Sequence, residues 1–212
     1  FGEFCAQIRA QTDVVIGITT GGGLGMTPEE RLAAVRRFQP ELASVNMGSI
    51  NFGIFTAKER IGQFCHAWEA EYLEMTRDFV FRNTFADCER ILAIMAECGT
   101  KPELECYDIG HLHNTAYFVD KGLLQPPFWF QFIMGVLGGI QPSVSTRDWN
   151  TIPMMISKIC EIIKIIDHAS GPVQSGMIRI RIITERTFLC DIKFFKFDFN
   201  IIICSISIII GS

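Results

Sequence analysis

Residues Val14 to Gly25 read VVIGITTGGGLG, and this stretch decides the fold class. An apolar β-branched run that ends in three glycines is typical of a buried parallel strand whose carboxyl end meets a ligand. The next residues, Thr27-Pro28-Glu29-Glu30, predict a helix with Thr27 as N-cap and Glu30 closing a capping box. The sequence therefore predicts a βα unit whose Gly21–Gly23 turn can approach an anion closely. A tight strand-to-helix connection without a ligand explains the same glycines, and both interpretations stay open.

Three further strand-like runs follow the glycine turn, and predicted helices separate them. The run that enters the turn covers residues 13–19, and the three later runs cover residues 41–47, 102–108 and 128–135. Thr84 is predicted to cap a helix over Phe85 to Cys98 that Gly99 terminates, and the aromatic stretch 57–82 predicts a helix with an extended lobe. Strands that alternate with helices predict an α/β fold with a parallel sheet and right-handed crossovers. In such folds the chemistry lies at the carboxyl ends of the strands.

Composition limits the class of partner. The chain has 212 residues, the length of about one domain, and a net charge of −4 without a basic stripe, so we expect no nucleic-acid partner. Its eight cysteines form no C-x-x-C pair, which favours a reducing compartment, and we expect a cytoplasmic protein. The apolar run Ile201–Ile210 is well short of a membrane helix, so no membrane partner is expected either.

Four motifs stand in order at the predicted strand ends. They are ITTGGG (18–23), PELASVNMGSINFG (40–53), PELECYD (102–108) with Gly110-His111, and the stretch from Gly122 through Pro126-Pro127-Phe128 to Gly138-Gly139. Together they resemble the β-keto acid cleavage enzyme family over residues 1 to 140. A single motif of this kind is weak, and four collinear ones make the resemblance specific.

The resemblance implies part of a (β/α)8 TIM barrel, about its middle four βα units. It also implies a zinc-dependent acyltransferase of amino-acid degradation, which moves a two-carbon unit from a β-keto acid to an acyl-CoA thioester. Acetoacetate and a new CoA ester are the implied products, and zinc would polarise the keto oxygen as a Lewis acid. The implied partners are the small-molecule β-keto acid, the coenzyme A thioester and, in a complete enzyme, further copies of the chain.

The resemblance also implies site residues. It assigns Glu105 to the catalytic proton relay. It also implies that the keto acid is bound through hydrogen bonds by Thr19, Gly22, Ser44 and Asn46. From the residues alone, a salt-bridged structural role is an equal alternative for Glu105, because a buried unpaired carboxylate costs several kcal/mol. Thr19 and Ser44 could instead cap strand ends, and Asn46 could stabilise a loop. The neighbouring Glu103 is expected to point to the other face and to be structural.

No metal ligand can be assigned. The resemblance implies zinc held by a His-x-His pair and a late glutamate, together with an arginine and an aspartate of the proton relay, and this sequence offers no match for them. The triplet His111-Leu112-His113 has the His-x-His spacing but follows the wrong strand. We expect His111 to be a strand-end polar residue near the substrate and His113 to lie on a helix surface.

The chain is expected to divide near residue 140. Isoleucine supplies 19 of residues 151–212 but only 11 of residues 1–150, and the helical periodicity is lost in the later part. We therefore predict a partial barrel catalytic domain over 1–140 and a degenerate or mistranslated tail over 141–212, so that the chain alone is expected to be inactive. The rival hypothesis is a non-catalytic barrel remnant or interaction module, since half a barrel leaves open strand edges. A barrel that binds phosphate through Gly21–Gly23 is a third, although no supporting lysine accompanies it.

Overall fold

Six helices and eight strands form the molecule in a computed structural model that describes residues 2–23, 25–140, 179–182 and 204–210. The helices are α1 (Gly2–Gln11), α2 (Pro28–Arg31), α3 (Ala33–Phe38), α4 (Ala67–Met75), α5 (Phe85–Glu97) and α6 (Ile109–Asp120). The strands are β1 (Gly17–Ile18), β2 (Leu42–Asn46), β3 (Ile50–Asn51), β4 (Val80–Phe81), β5 (Lys101–Cys106), β6 (Phe128–Met134), β7 (Arg179–Ile182) and β8 (Cys204–Ile210). Two 3₁₀ segments, Phe55–Glu59 and Thr76–Asp78, flank α4.

The main sheet begins with four parallel strands in the order β1-β2-β5-β6. This arrangement confirms the predicted α/β fold with a parallel sheet. On the far side of β6, strand β8 pairs antiparallel, and β7 pairs antiparallel with β8. The family barrel would have parallel neighbours throughout, so this edge differs from that expectation. An apolar edge strand pairs readily with an isoleucine-rich segment, because isoleucine favours extended backbone.

One face of the parallel sheet packs against α5 and α6. Leu104 of β5 and Phe130 of β6 are completely buried there, against Ile91 of α5 and Phe118 of α6. The rings of Phe130 and Phe132 stack with their centroids 6.1 Å apart. The core therefore lies between the sheet and its helices, and the opposite face of the sheet is left for polar side chains.

The predicted helix starts are confirmed. Thr27 Oγ1 accepts a hydrogen bond from the Glu30 amide, and the Glu30 carboxylate accepts one from the Thr27 amide at 2.7 Å. Thr84 and Asp87 form the same reciprocal pair at the start of α5, which ends before Gly99 as predicted. The helix predicted to begin at Thr27 is instead two helices, α2 and α3, because the chain departs from helical geometry at the buried Leu32.

Two other elements are shorter than predicted. The strand expected over 13–19 is reduced to β1, because the Glu41 carboxylate accepts the Ile16 amide hydrogen bond in place of a neighbouring strand. The helix expected over 57–82 is reduced to α4, because the Glu69 carboxylate accepts hydrogen bonds from the amides of Cys65 and His66 and fixes the helix start there.

The division predicted near residue 140 stays a prediction. Residues 141–178, 183–203 and 211–212 of the expected tail lie outside the described residues, and its two described segments are the backbones of β7 and β8. Among the described helices, none combines the length and the apolar character that a bilayer crossing requires.

Candidate functional site at the strand ends

Polar side chains line the sheet face that the helices leave uncovered. Ser44 and Asn46 of β2 lie in register with Glu103 and Glu105 of β5. Side chains of registered residues in neighbouring strands point the same way, and residues two apart share a face. The expectation that Glu103 points to the other face is therefore wrong, since 103 and 105 are separated by one full repeat of the strand. Four polar groups of the predicted site region thus share one surface.

Glu105 is the most perturbed carboxyl group on this surface. Burial raises its pKa to about 7, and the carboxyl of Glu103 adds to the increase. Hydrogen bonds from the hydroxyl of Tyr107, 3.3 Å from Oε2, and from Ser44 act in the opposite direction, as does the charge of Arg31. A carboxyl with a pKa near neutrality can both accept and return a proton at physiological pH.

Ser44 connects Glu105 to β1. Its Oγ accepts a hydrogen bond from the Thr20 amide at 3.2 Å and donates to the Glu105 carboxyl. Thr20 is buried and donates its own hydroxyl to the Ser44 carbonyl at 2.6 Å. Thr19, predicted at this place, is exposed, and its Oγ1 accepts from the Gly21 amide at 3.3 Å. The contact between the two strands is thus made by Thr20, while Thr19 caps the turn.

The side-chain amide of Asn46 is buried without a hydrogen-bond partner among the described residues. Its side chain is 2 % exposed, and neither its amide nitrogen nor its amide oxygen finds a partner among the described residues. An unpaired buried amide costs about 1–3 kcal/mol, so such groups are kept where a ligand can satisfy them. Because Asn46 is the register partner of Glu105, a bound molecule could contact both.

Gly22 makes room for Arg31 instead of standing free in an open loop. It has φ of +66°, and a Cβ there would lie 2.6 Å from Arg31 Cγ. Arg31 is 7 % exposed, and it donates from Nε to the Thr20 carbonyl at 2.8 Å and from Nη2 to Asn83 Oδ1 at 2.9 Å. No sequence motif identified this arginine as a site residue. Arg31 lies four residues before the apolar Val35, and this helical spacing indicates that both residues lie on the buried side of the helical region.

His111 lies at the start of α6 and faces a cavity. Its Nδ1 accepts a hydrogen bond from the Tyr107 amide at 3.2 Å, so the neutral ring carries its proton on Nε2, which lies 3.5 Å from the Ser49 carbonyl. The ring is 4 % exposed, and burial lowers its pKa. The cavity has a volume of about 460 Å³. His113 is exposed on α6, as predicted.

The positions of the donor side chains decide whether this part of the chain could hold the implied zinc. Within the parts of the chain that the structure describes, no three His, Cys, Asp or Glu side chains converge in a way that could hold a metal ion. The Nδ1 of His111 is already occupied by a backbone amide, and His113 points to solvent. The described residues do not fit the zinc that the resemblance implies.

The sequence model of a family described as beta-keto acid cleavage enzyme matches residues 1–161. The chain belongs to this family. The matched range contains the whole polar surface from Thr19 to Glu105 and the cavity beside His111. Membership of the family of β-keto acid cleavage enzymes thus confirms the resemblance on which the site residues were selected.

Curated family members share up to about half of their length with this chain. It is 53% identical over 140 residues to 3,5-dioxohexanoate:acetyl-CoA acetone transferase of Paraburkholderia graminis, covering 66% of this chain and 45% of that protein. It is 33% identical over 176 residues to 3-keto-5-aminohexanoate cleavage enzyme of Acetoanaerobium sticklandii, covering 83% and 54%. It is 25% identical over 179 residues to 3-dehydrocarnitine:acetyl-CoA trimethylamine transferase of Rhizobium meliloti, covering 75% and 51%. The chain therefore spans about half the length of the curated relatives it matches.

Proposed function

We propose that this chain forms part of an enzyme that cleaves a β-keto acid and transfers a two-carbon unit from it to an acyl-CoA thioester. The products would be acetoacetate and a new CoA ester. Family membership supports the reaction class, and the names of two relatives include acetyl-CoA as a substrate. In this proposal the four parallel strands are a portion of a (β/α)8 barrel, and the complete enzyme is a cytoplasmic homo-oligomer.

Glu105 is the proposed general base. The observation that carries this role is a carboxyl with a pKa of about 7 on the face of the sheet that carries Ser44 and Asn46. In its ionised form it would accept a proton from the substrate, and the hydroxyl of Tyr107 would keep the accepting oxygen in place. The deprotonated α-carbon would then attack the carbonyl of the acetyl thioester and release CoA thiolate. The thiolate would attack the original keto carbonyl, so that the retro-Claisen step breaks the bond between that carbonyl and the α-carbon and forms the new CoA ester. Glu105 would return its proton to the released carbanion, which gives acetoacetate.

Asn46 and Ser44 are the proposed substrate-binding residues, with Thr19 and Gly22 at the rim. The unpaired amide of Asn46 offers both a donor and an acceptor to the oxygens of a keto acid or its enol. Gly22 would act indirectly, by leaving the space that Arg31 fills beneath the turn. Thr19 would contribute its exposed hydroxyl when the ligand reaches the turn.

No step of this proposal passes through a metal. The zinc implied by the resemblance would polarise the keto oxygen when bound, but the described residues offer no set of three ligands for it. Proton transfer at Glu105 and hydrogen bonding at Asn46 are the parts of the reaction that this chain's own residues can perform.

The test is turnover of Glu105→Gln in the complete enzyme of which this chain forms part, because the chain alone is expected to be inactive. With acetyl-CoA and 3,5-dioxohexanoate, the keto acid named for the relative at 53% identity, formation of a new CoA ester is followed by mass spectrometry. We expect a loss of about 10²–10⁴-fold in turnover with keto acid affinity mostly kept, because only the proton acceptor is removed. Glu71→Gln, at an exposed glutamate of α4, is the matched control and should leave turnover unchanged.

Two outcomes would change the proposal. Equal and measurable turnover of Glu105→Gln and the wild-type complete enzyme would remove Glu105 from the catalytic role. Binding of the keto acid without any turnover by the wild-type complete enzyme would favour the alternative, a non-catalytic barrel remnant or interaction module. In either case, the exposed aromatic residues Trp68 and Tyr72 on α4 form the proposed surface for contact with another chain.

A further inference from the structure

The cavity beside His111 lies next to the proposed catalytic surface but is separate from it. It opens at Gly48, two residues after Asn46, and at Asp108, three residues after Glu105. Tyr107 joins the two places, because its hydroxyl donates to Glu105 and its amide donates to His111. A long ligand whose reacting end lies at Glu105 can therefore continue into this cavity.

The geometry points to this cavity as the binding site for the uncharged, amide-bearing pantetheine arm of the CoA thioester. This inference rests on the proposed function for the identity of the co-substrate. It places one portion of the CoA thioester in the cavity and proposes no separate activity. The carrying observation is a proton donor on His111 that faces the cavity and lacks a good protein partner.

The orientation of His111 follows from its hydrogen bonds. A backbone N–H can only donate, so the bond from Tyr107 fixes Nδ1 as an acceptor and leaves the proton on Nε2. The nearest oxygen, the Ser49 carbonyl, is 3.5 Å away, which is the limit of a hydrogen bond. The approach of the ring also requires Gly48, because a Cβ there would lie 2.8 Å from Nε2. A ligand carbonyl entering the cavity would give this donor a better partner.

The chemistry of the lining favours an uncharged polar chain. Amide side chains of Asn51 and Asn114 stand among apolar contacts from Ile50 and Val80, and Asp108 supplies a carboxylate. Of the described residues that line the cavity, none is a lysine or an arginine. Phosphate groups seek cationic partners, whereas amide groups pair with the donors and acceptors found here. A volume of about 460 Å³ lies within the range of small-molecule sites.

The experiment is isothermal titration calorimetry on the full 212-residue chain. Pantetheine is the probe for the cavity, adenosine 3′,5′-bisphosphate is the probe for the nucleotide half of CoA, and acetoacetate is the probe for the Glu105 surface. Two variants change the cavity. Val80→Trp fills it from a position that is 54% exposed, and His111→Asn keeps an oxygen for the Tyr107 amide but removes the Nε2 donor.

The matched control is Val14→Trp, at a valine that is 56% exposed and not among the residues that line the cavity. We expect pantetheine to bind the wild-type chain and this control equally, and to bind each cavity variant at least about tenfold more weakly, the loss of one good hydrogen bond. Acetoacetate affinity should be equal in all four proteins, and adenosine 3′,5′-bisphosphate should not displace pantetheine.

The results separate the two proposals. Equal pantetheine affinity in all four proteins, no binding to the wild-type chain, or displacement by the nucleotide half would each overturn the cavity assignment. Failure of acetoacetate to bind while pantetheine shows the expected pattern would count against the proposed keto acid site and leave the pantetheine site standing.

Discussion

Glu105→Gln should stabilise this protein at alkaline pH. Glu105 has its pKa raised from 4.5 to about 7, so the folded state holds its proton over a range of pH in which the unfolded chain has released it. Between these values the unfolded state binds fewer protons, and stability falls as the pH rises. Glutamine keeps the shape of the side chain and removes the charge that is costly to bury.

The magnitude follows from the difference in pKa. A difference of about 2.5 corresponds to about 3 kcal/mol, reached above pH 7 and absent below pH 4.5. This is an upper limit because Glu105 is only partly buried and water screens its charge. We therefore expect Glu105→Gln to exceed the wild-type chain in unfolding free energy by about 2–3 kcal/mol at pH 8 and to match it near pH 4.5.

Urea denaturation followed by circular dichroism from pH 4.5 to pH 8 measures this difference. Burial lowers the pKa of His111, so the contribution of this histidine to the unfolding free energy increases with pH. Both proteins contain His111, and its contribution therefore cancels in the comparison. Glu71→Gln, at an exposed position, should follow the wild-type curve throughout. A Glu105→Gln variant that is less stable than the wild-type chain at pH 8 would refute the reasoning and indicate a salt-bridged structural glutamate.

Three further predictions concern the polar surface and the glycine turn beside it. Asn46→Leu should raise the unfolding free energy by about 1–2 kcal/mol in urea and abolish acetoacetate binding, because it replaces an unpaired buried amide with an apolar group of similar size; a destabilised variant would contradict this. Gly22→Ala should cost more than about 2 kcal/mol, since its Cβ would lie 2.6 Å from Arg31, whereas Gly25→Ala, with φ of +74° but nothing within 4 Å, should cost about 1 kcal/mol; equal losses would contradict the contact. Arg31→Gln should raise the pKa of Glu105, which Arg31 lowers, as measured by carbon-13 NMR of the carboxyl group, and an unchanged pKa would show that the two groups do not interact.

The elements that the sequence predicted well depend on short-range interactions. Both capping boxes, at Thr27 and Thr84, involve residues three apart, so the pattern contains all the partners. The alternation of strands and helices predicted the parallel sheet for a similar reason, since each unit carries its own periodicity. The four collinear motifs predicted the family, and the matching family model confirms it.

The features that escaped depend on contacts distant in sequence. Arg31 is held by Asn83, which is 52 residues away, and nothing in the residues around either position reveals that pairing. The strand before the glycine turn is shortened by Glu41, 25 residues from its partner Ile16. Thr20, and not Thr19, donates its hydroxyl to the Ser44 carbonyl. Which of the two threonines does so depends on the register of β1 against β2, which the local sequence does not reveal.

The two faces of β5 separate two kinds of selection. Leu104 and Cys106 lie in the core, while Glu103 and Glu105 alternate with them on the polar surface. A substitution at 105 alters proton affinity without creating a void beneath the helices, and one at 104 alters packing without changing the proposed ligand surface. Residues on the polar face and residues on the core face can therefore change independently within one strand. Relatives that act on different keto acids can consequently retain the same hydrophobic core.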